Sequence, residues 1–386
     1  MKDFTLHLPT KILFGKDRIN ELPDFTATYG KKVLLTYGGG SIKRIGLYEK
    51  IKDLYSDCQI FELSGIEPNP KISSVRAGVE ICKKEKIDFI LAVGGGSVLD
   101  CSKNIACGAF YDGDPWELVL DCSKVGKTLP IFSVLTLSAT GSEYDNSAVI
   151  SNDETNEKLP LFGNLNPVVS VCDPTYTFTV PANQTAAGAA DIMSHVFEEY
   201  LVEQGTLLSD GFCESMLRTV IKYAPIAIAN PEDYEARAEL MNASSFGCCG
   251  LLGMGRSGSP WVCHALEHEL SAYYDITHGV GLAILTPYWM RFSLNEKTKK
   301  RFADYGRHVF NLIGDDDFEV ANEAIAKTEA FFRSIGLPSR LSEVGIDDSH
   351  FEAMAEHIQK FWFADLKTAI YPLGREEIVS IYKNAL

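Results

Sequence analysis

The sequence predicts an α/β fold in which a Rossmann-like, doubly wound parallel sheet domain precedes an all-helical domain. In the first half of the chain, short β-rich runs alternate with helical patterns in the repeated order strand, tight turn, helix. After about Pro181, strand patterns nearly vanish and helical periodicity continues to the C-terminus. A chain of 386 residues also exceeds the usual size of one compact core. We therefore predict domains at residues 1–180 and 181–386.

Four runs predict the strands of the sheet, and three of them end at a turn rich in glycine or hydroxyl groups. The predicted strands are Val33–Tyr37, Gln59–Leu63, Asp88–Val93 and Leu129–Leu135. Helical spacing follows from residue 41 to about 54, from 71 to 84, and from 97 to about 108. In the second half, residues 183–200 predict a long helix. Prolines are expected to break or start the other helices, at Pro225, Pro231, Pro260, Pro287 and Pro338.

Composition excludes several classes of partner. The formal net charge of −16 argues against nonspecific binding of nucleic acids or anionic membranes. The first ten residues contain no apolar core of signal-peptide length, and no run reaches about 18 apolar residues. The ten cysteines form no Cys-x-x-Cys pair and predict reduced, mostly buried thiols. We expect a cytoplasmic protein that binds neither nucleic acid nor membrane.

The loop Gly94-Gly95-Gly96-Ser97 follows a predicted buried strand and opens a helix. Glycines in such a loop let the backbone approach a pyrophosphate, and the helix N-terminus favours negative charge. Ser97 can cap the helix, bind phosphate, or do both. Because the loop lacks the Gly-x-Gly-x-x-Gly spacing, a tight turn that binds no ligand is the alternative.

A second glycine loop, Gly38-Gly39-Gly40-Ser41, also lies at a strand end. Sites that prefer NAD usually place a carboxylate against the adenosine ribose. This loop has none and offers Ser41, Lys43 and Arg44 instead, which favours the 2′-phosphate of NADP(H). A solvated Lys-Arg pair at a helix start is the alternative interpretation.

The hydroxyl-rich run Leu135–Glu143 also follows a predicted strand. Thr136, Thr140 and Ser142 are candidates to line the cofactor cleft. An ordinary turn capped by Ser and Thr is equally consistent with the pattern.

The residues with the clearest chemistry are Asp191, His195, His264 and His278. Asp191 and His195 lie four apart on one face of a predicted helix, among small apolar residues. A buried Asp without a partner is costly, and a bound cation offsets that cost. One carboxylate and three imidazoles suit one divalent metal ion, Fe²⁺ or Zn²⁺. Spacing does not decide which three histidines bind, because His264 and His268 form an equally natural pair. A polar seam between helices, with no metal, is the other alternative.

Motifs along nearly the whole chain resemble those of the iron-containing (group III) alcohol dehydrogenases, most closely the NADP(H)-dependent butanol dehydrogenases among them. They are Pro9-Thr-Lys-Ile-Leu-Phe-Gly15, Tyr37-Gly-Gly-Gly-Ser-Ile-Lys43, Glu67-Pro-Asn-Pro70, Gly94-Gly-Gly-Ser-Val-Leu-Asp100, Thr140-Gly-Ser-Glu143, Ala186-Ala-Gly-Ala-Ala-Asp-Ile-Met-Ser-His195 and His268-Glu-Leu-Ser-Ala-Tyr-Tyr-Asp-Ile-Thr-His-Gly279. Each motif is weak singly, whereas several in this order are highly specific.

This resemblance implies that Asp191, His195, His264 and His278 hold the metal, with His268 beside them. It also implies pyrophosphate at residues 94–97 and adenosine phosphate at residues 39–41. The residues expected near the nicotinamide half are Asp100, Thr136, Ser142 and Lys158.

The resemblance further implies a homodimer, a helical metal-binding domain, and a cleft between the two domains. The implied reaction is the reversible NADP(H)-linked reduction of short-chain aldehydes to primary alcohols, of the butanal and butanol type, and we assign catalytic roles to His268 and Asp100. Glycerol dehydrogenases and dehydroquinate synthase-like lyases share this general plan. The first glycine loop disfavours the former, and the scarcity of bases around the histidines disfavours the latter.

Overall fold

The protein divides into two compact units in a computed structural model that describes residues 1–362 and 366–386. The sheet unit comprises His7–Val180 and Pro231–Cys249. The helical unit comprises Met1–Leu6, Pro181–Asn230 and Gly250–Leu386. The change of unit at 180/181 coincides with the boundary drawn from sequence, but residues 1–6 and 231–249 each group with the other unit.

The sheet unit is built on a six-stranded sheet in the order β1-β8-β5-β4-β2-β3, and every neighbouring pair in it is parallel. Two further strands, β6 and β7, form an antiparallel hairpin. The strands are β1 (Lys11–Phe14), β2 (Lys32–Tyr37), β3 (Gln59–Leu63), β4 (Phe89–Gly94), β5 (Ile131–Leu135), β6 (Ser147–Asn152), β7 (Glu157–Phe162) and β8 (Val169–Cys172).

The predicted parallel sheet is confirmed, and the four predicted strands correspond to β2, β3, β4 and β5. The sequence patterns did not predict β1, β8 or the hairpin. Both β1 and β8 have only four residues, which is too short for a periodic pattern to be recognised. Their pairing joins residue 11 to residue 169, a contact that no local pattern reveals.

Helices pack around this sheet, and its central strands are buried on both faces. The helices of the first 180 residues are α1 (Leu22–Thr26), α2 (Ser41–Arg44), α3 (Leu47–Leu54), α4 (Ile72–Glu85), α5 (Gly96–Gly108) and α6 (Trp116–Leu120). Leu34 and Leu35 point to opposite faces of β2, and both side chains are fully buried. Burial on both faces explains why the central strands read as continuous apolar runs.

The remaining helices confirm the predicted helical second half. They are α7 (Ala182–Tyr200), α8 (Leu207–Ala229), α9 (Tyr234–Gly247), α10 (Val262–Tyr274), α11 (His278–Ser293), α12 (Lys299–Phe310), α13 (Asp317–Ser334), α14 (Phe351–Leu366) and α15 (Arg375–Ala385). Of these, α9 belongs to the sheet unit. In the part of the chain that the structure describes, no helix combines the length and the apolar character needed to cross a membrane.

Two prolines do not break helices as the sequence analysis expected. Pro225 lies inside α8, and Pro287 lies inside α11. An interior proline costs about 3 kcal/mol because it removes one amide hydrogen bond and crowds the preceding turn. Both helices pack along α7, and this burial outweighs the local cost.

Candidate active site

The carboxylate and histidine side chains singled out in the sequence converge within the helical unit. Asp191 and His195 lie one turn apart on α7, and His264 lies in the first turn of α10. His278 is the first residue of α11. Close packing of α11 on α7 brings His278 to this point. A Cβ atom added to Gly279 would lie 2.0 Å from the carbonyl oxygen of Ala187, so only glycine allows this approach.

One carboxylate oxygen faces three imidazole nitrogens. Oδ1 of Asp191 lies 3.5 Å from Nε2 of His195, 3.8 Å from Nε2 of His264 and 3.6 Å from Nε2 of His278. Ligands placed about 2.1 Å from a tetrahedral cation lie roughly 3.4 Å from one another. Oδ1 of Asp191 therefore lies from each of the three nitrogens at about the distance that separates two ligands of one small cation, and slightly too far for a good hydrogen bond.

The burial of these atoms supports the same interpretation. The exposed fraction is 3% for Asp191 and 5% each for His195 and His264. Among the described residues, Oδ1 of Asp191 and Nε2 of His264 are buried and have no hydrogen-bond partner. Buried polar atoms without a partner are costly, and a cation bound by both would remove that cost.

Two further carboxylates orient the histidine rings. Oε1 of Glu198 lies 3.3 Å from Nδ1 of His264 and also accepts the backbone N–H of that residue at 3.0 Å. Oε2 of Glu267 contacts Nδ1 of His278. Each contact holds the proton on Nδ1 and turns Nε2 toward Asp191, as is usual for histidines that bind metals.

The pKa shifts of the carboxyl and imidazole groups indicate that the cluster favours a positive charge. Burial lowers the pKa of His195 to about 3, although the charge of Asp191 opposes the shift. Burial would also lower the pKa of His264, but the carboxylates of Asp191 and Glu198 raise it to about 9. Burial would raise the pKa of Asp191, but His195, His278 and His264 hold it below its ordinary value. The site therefore favours one cation, and a proton competes with a metal for it.

His268 lies beside this cluster on α10, where it is buried. Its ring centroid is 5.6 Å from that of His278 and 6.2 Å from that of His264. Among the described residues, two neighbouring groups have the spacing to hold a metal ion: Asp191 with His195 and His264, and Glu267 with His268 and His278. His278 belongs to the second group, and its Nε2 also lies 3.6 Å from Oδ1 of Asp191 in the first.

The two glycine loops and the hydroxyl-rich run meet at one edge of the sheet. They follow β2, β4 and β5, which are neighbours, so the carboxyl ends of these strands lie side by side. A Cβ atom on Gly96 would lie 2.3 Å from Oγ1 of Thr140, and one on Gly38 would lie 3.8 Å from Cγ2 of Val98. The three segments therefore pack together, and Ser97 stands in the first turn of α5.

Asp100 stands one turn further along α5, linked to the third segment. It accepts a hydrogen bond from Oγ of Ser142 at 2.6 Å and one from the backbone N–H of Val149 at 2.9 Å. Burial raises the pKa of Asp100 to about 6, although the charge of Lys103 opposes the shift. Thr136 directly follows β5, with its backbone N–H bonded to Gly94. These contacts join α5, the hydroxyl-rich run and the β6–β7 hairpin.

Lys158 lies on this hairpin, in β7, where it is buried and donates to Oδ1 of Asn69 at 3.0 Å. Lys43 lies in α2, just beyond the first glycine loop. Its Nζ sits 5.2 Å from the ring centre of Tyr37 and 4.6 Å from that of Tyr48. All the sheet-unit residues predicted from sequence thus lie near the carboxyl edge of the sheet, on α5 or on the hairpin.

Sequence reasoning missed the carboxylates that support these groups. Glu198 and Glu267 orient the histidines, and Glu62 lies at the end of β3 beside the first glycine loop. Glu198 lies three residues after His195 and Glu267 immediately before His268, so each was adjacent to a residue already identified. Their burial on a helix, a poor place for an unpaired charge, is the feature that could have revealed them.

Comparison with known proteins shows which family this chain resembles over its length. Residues 9–174 match the family model described as iron-containing alcohol dehydrogenase. Residues 185–386 match the C-terminal model of the same family. The chain is 51% identical to the NADH-dependent butanol dehydrogenase A of Clostridium acetobutylicum, with 100% of both chains covered. It is 38% identical to the NADPH-dependent aldehyde reductase YqhD of Escherichia coli, with 95% of both covered.

A solved structure shows the same fold. The crystal structure of the NADH-dependent butanol dehydrogenase A from Thermotoga maritima superposes with a TM-score of 0.95 at 38% identity, covering 100% of this chain and 99% of that one. Family membership implies an oxidoreductase with a nicotinamide cofactor and a divalent metal, acting on small alcohols or aldehydes. These matches confirm the resemblance found in the motifs of the sequence. Together, the two family models show that this chain belongs to the iron-containing alcohol dehydrogenase family.

Proposed function

We propose that this enzyme catalyses the reversible NADP(H)-linked reduction of short-chain aldehydes to primary alcohols, with butanal and butanol as the representative pair. In this proposal Asp191, His195, His264 and His278 hold one Fe²⁺ or Zn²⁺. The observation that carries it is the position of Oδ1 of Asp191, 3.5 to 3.8 Å from Nε2 of all three histidines.

When bound there, a divalent cation supplies Lewis-acid polarisation of the substrate oxygen. The protein's own residues do the rest. Asp191 would be the one charged ligand, so a set of one carboxylate and three imidazoles would leave part of the cation's charge uncompensated. Glu198 and Glu267 fix the rings of His264 and His278. His268, buried beside them, is the candidate that moves a proton to or from the substrate oxygen.

The choice of NADPH rests on the first glycine loop. It carries Lys43 and Arg44 and no carboxylate, which favours a 2′-phosphate. Similar proteins differ in the cofactor that their names state: the butanol dehydrogenase A of Clostridium acetobutylicum is named as NADH-dependent, and YqhD as NADPH-dependent. Butanal as substrate is supported by the names of the butanol dehydrogenases. We also propose that the enzyme is a cytoplasmic homodimer, and sedimentation of the purified protein tests whether it is a dimer.

The reaction is tested with a panel of aldehydes of increasing chain length, each assayed with NADPH and with NADH. We expect the highest kcat/KM for short linear aldehydes with NADPH. A clear preference for NADH would contradict the cofactor proposal, and no turnover of any aldehyde would contradict the reaction.

The ligand assignment is tested with His278→Ala, purified anaerobically and analysed for metal. Loss of one ligand should remove most of the metal and nearly all turnover. His350→Ala, at an exposed histidine outside the cluster, is the matched control and should keep both. A His278→Ala protein that retained its metal and its activity would refute the assignment.

A further inference from the structure

Glu62 lies where the adenosine end of a nicotinamide cofactor is expected. It is the penultimate residue of β3, the edge strand next to β2, and it pairs in register with Leu35. The first glycine loop begins where β2 ends. Because the two strands are parallel, the carboxyl end of β3 and this loop lie at the same edge of the sheet.

Two tyrosines hold the carboxylate of Glu62. The hydroxyl of Tyr37, the last residue of β2, donates to Oε2 at 2.7 Å. The hydroxyl of Tyr48, on α3, donates to Oε1 at 2.7 Å. Partial loss of water contact would raise the pKa of Glu62, but these hydrogen bonds and the nearby lysines keep it lowered, so the group is ionised at neutral pH.

The same tyrosines hold Lys43 through their rings. Its Nζ lies 4.6 Å from the ring centre of Tyr48 and 5.2 Å from that of Tyr37, which is within cation–π range. Lys43 and Glu62 are thus bound by opposite parts of one tyrosine pair. A positive and a negative charge are positioned together beside the loop proposed to take the adenosine phosphate.

We propose that Glu62 is a specificity-determining residue that weakens the preference for a 2′-phosphate and keeps NADH usable. This inference rests on the proposed function, in which the first glycine loop and Lys43 bind the adenosine end. The two cofactors differ there by a phosphate carrying between one and two negative charges, which Lys43 attracts and Glu62 repels. A ribose hydroxyl, as in NADH, is not repelled by a carboxylate and can donate to it.

The test measures the ratio of kcat/KM with NADPH to kcat/KM with NADH in matched variants. Glu62→Gln removes the charge and keeps the shape, and we expect the ratio to rise about three- to tenfold, the size expected for unit charges interacting through solvent. Tyr48→Phe keeps the ring under Lys43 and the charge of Glu62 but removes one hydrogen bond, so it should change the ratio by a smaller factor than Glu62→Gln. Glu80→Gln, exposed on α4, removes the same charge elsewhere and should leave the ratio unchanged.

Ionic strength separates an electrostatic role from a structural one. The increase caused by Glu62→Gln should shrink at 0.5 M salt, since the Debye length is then only about 4 Å. A ratio that falls, or that stays within twofold of the wild-type value, would overturn the proposal, as would equal changes with both cofactors. The wild-type ratio tests the NADPH preference itself, whereas the shift in the variant tests Glu62, so the two failures are distinguishable.

Discussion

The Asp-His cluster of the helical unit and the Glu62–Lys43 pair of the sheet unit both place ionisable groups together, yet they differ in burial. Asp191, His195 and His264 are each at most 5% exposed. Glu62 and Lys43 are both exposed. Charges in the buried cluster interact strongly and must be compensated within it, whereas charges at the exposed pair are screened by water and salt.

This difference separates what the two regions can do. Removing one member of a buried set leaves the others uncompensated, so the whole site is lost. Changing an exposed charge alters an interaction by a small amount and leaves the fold intact. We infer that the chemistry of the enzyme is fixed in the helical unit, while its choice of cofactor is adjustable in the sheet unit.

The first prediction concerns His268, which is buried beside the cluster but is not one of its four proposed ligands. His268→Ala should keep its metal and slow turnover by roughly 10²- to 10⁴-fold, the usual range for a positioned acid or base. Metal analysis and steady-state kinetics on the same sample measure both quantities. An unchanged rate would reduce His268 to a packing role, and loss of metal would place it among the ligands.

The second prediction concerns Glu267, which contacts Nδ1 of His278. Glu267→Gln should weaken metal affinity by about 10- to 100-fold, because the ring of His278 loses the carboxylate that orients it. Competition with a chelator of known affinity measures the change. The matched control is Glu269→Gln, a buried carboxylate on the same helix that contacts His357 instead. Equal losses in both variants would attribute the effect to general damage of α10.

The third prediction tests a buried carboxylate in the sheet unit. Oε1 of Glu143 accepts from Oγ of Ser245 at 2.6 Å, and burial raises the pKa of Glu143 to about 7. The unfolded chain loses this proton near its ordinary pKa, so the free energy of unfolding falls as pH rises from about 4.5 to about 7 and then levels off. Glu143→Gln imitates the protonated form and should remove that fall.

Thermal unfolding of both proteins at pH 5 and pH 8 provides the measurement for Glu143. Between pH 5 and pH 8, the free energy of unfolding of the variant should rise by about 1 to 3 kcal/mol relative to that of the wild-type protein. An identical pH dependence in the two proteins would show that Glu143 is ionised in the folded state. In that case, burial would not raise the pKa of this carboxyl group in the sheet unit.

Much of the fold followed from local patterns. Strand runs ending in glycine turns identified the central sheet because both faces of β2 and β4 are buried, which leaves long apolar runs. The edge strand β1 and the inner strand β8 were not predicted, because a run of four residues is too short to show a periodic pattern. The prediction that Pro225 and Pro287 break or start helices was wrong, because helix packing outweighs the local tendency of proline to break a helix.

The site was predicted in its residue types but not in its geometry. Helical spacing placed Asp191 and His195 on one face, since the separation of four residues is local. Local spacing left His278 and His268 as alternatives, and only the family resemblance implied His278. The position of His278 against Asp191 depends on how α11 packs on α7, where Gly279 lies against the carbonyl of Ala187. The roles of Glu198 and Glu267 depend on their contacts with His264 and His278, which only the packing of the helices shows.

By itself, the sequence determined the fold class, the glycine loops at strand ends and the metal-binding residue types, because each depends on neighbours within a few residues. Only the tertiary structure decided which imidazoles face Asp191 and that Glu62 stands beside Lys43. Both contacts join segments far apart in the chain, and their distances depend on how helices and strands pack rather than on any local preference.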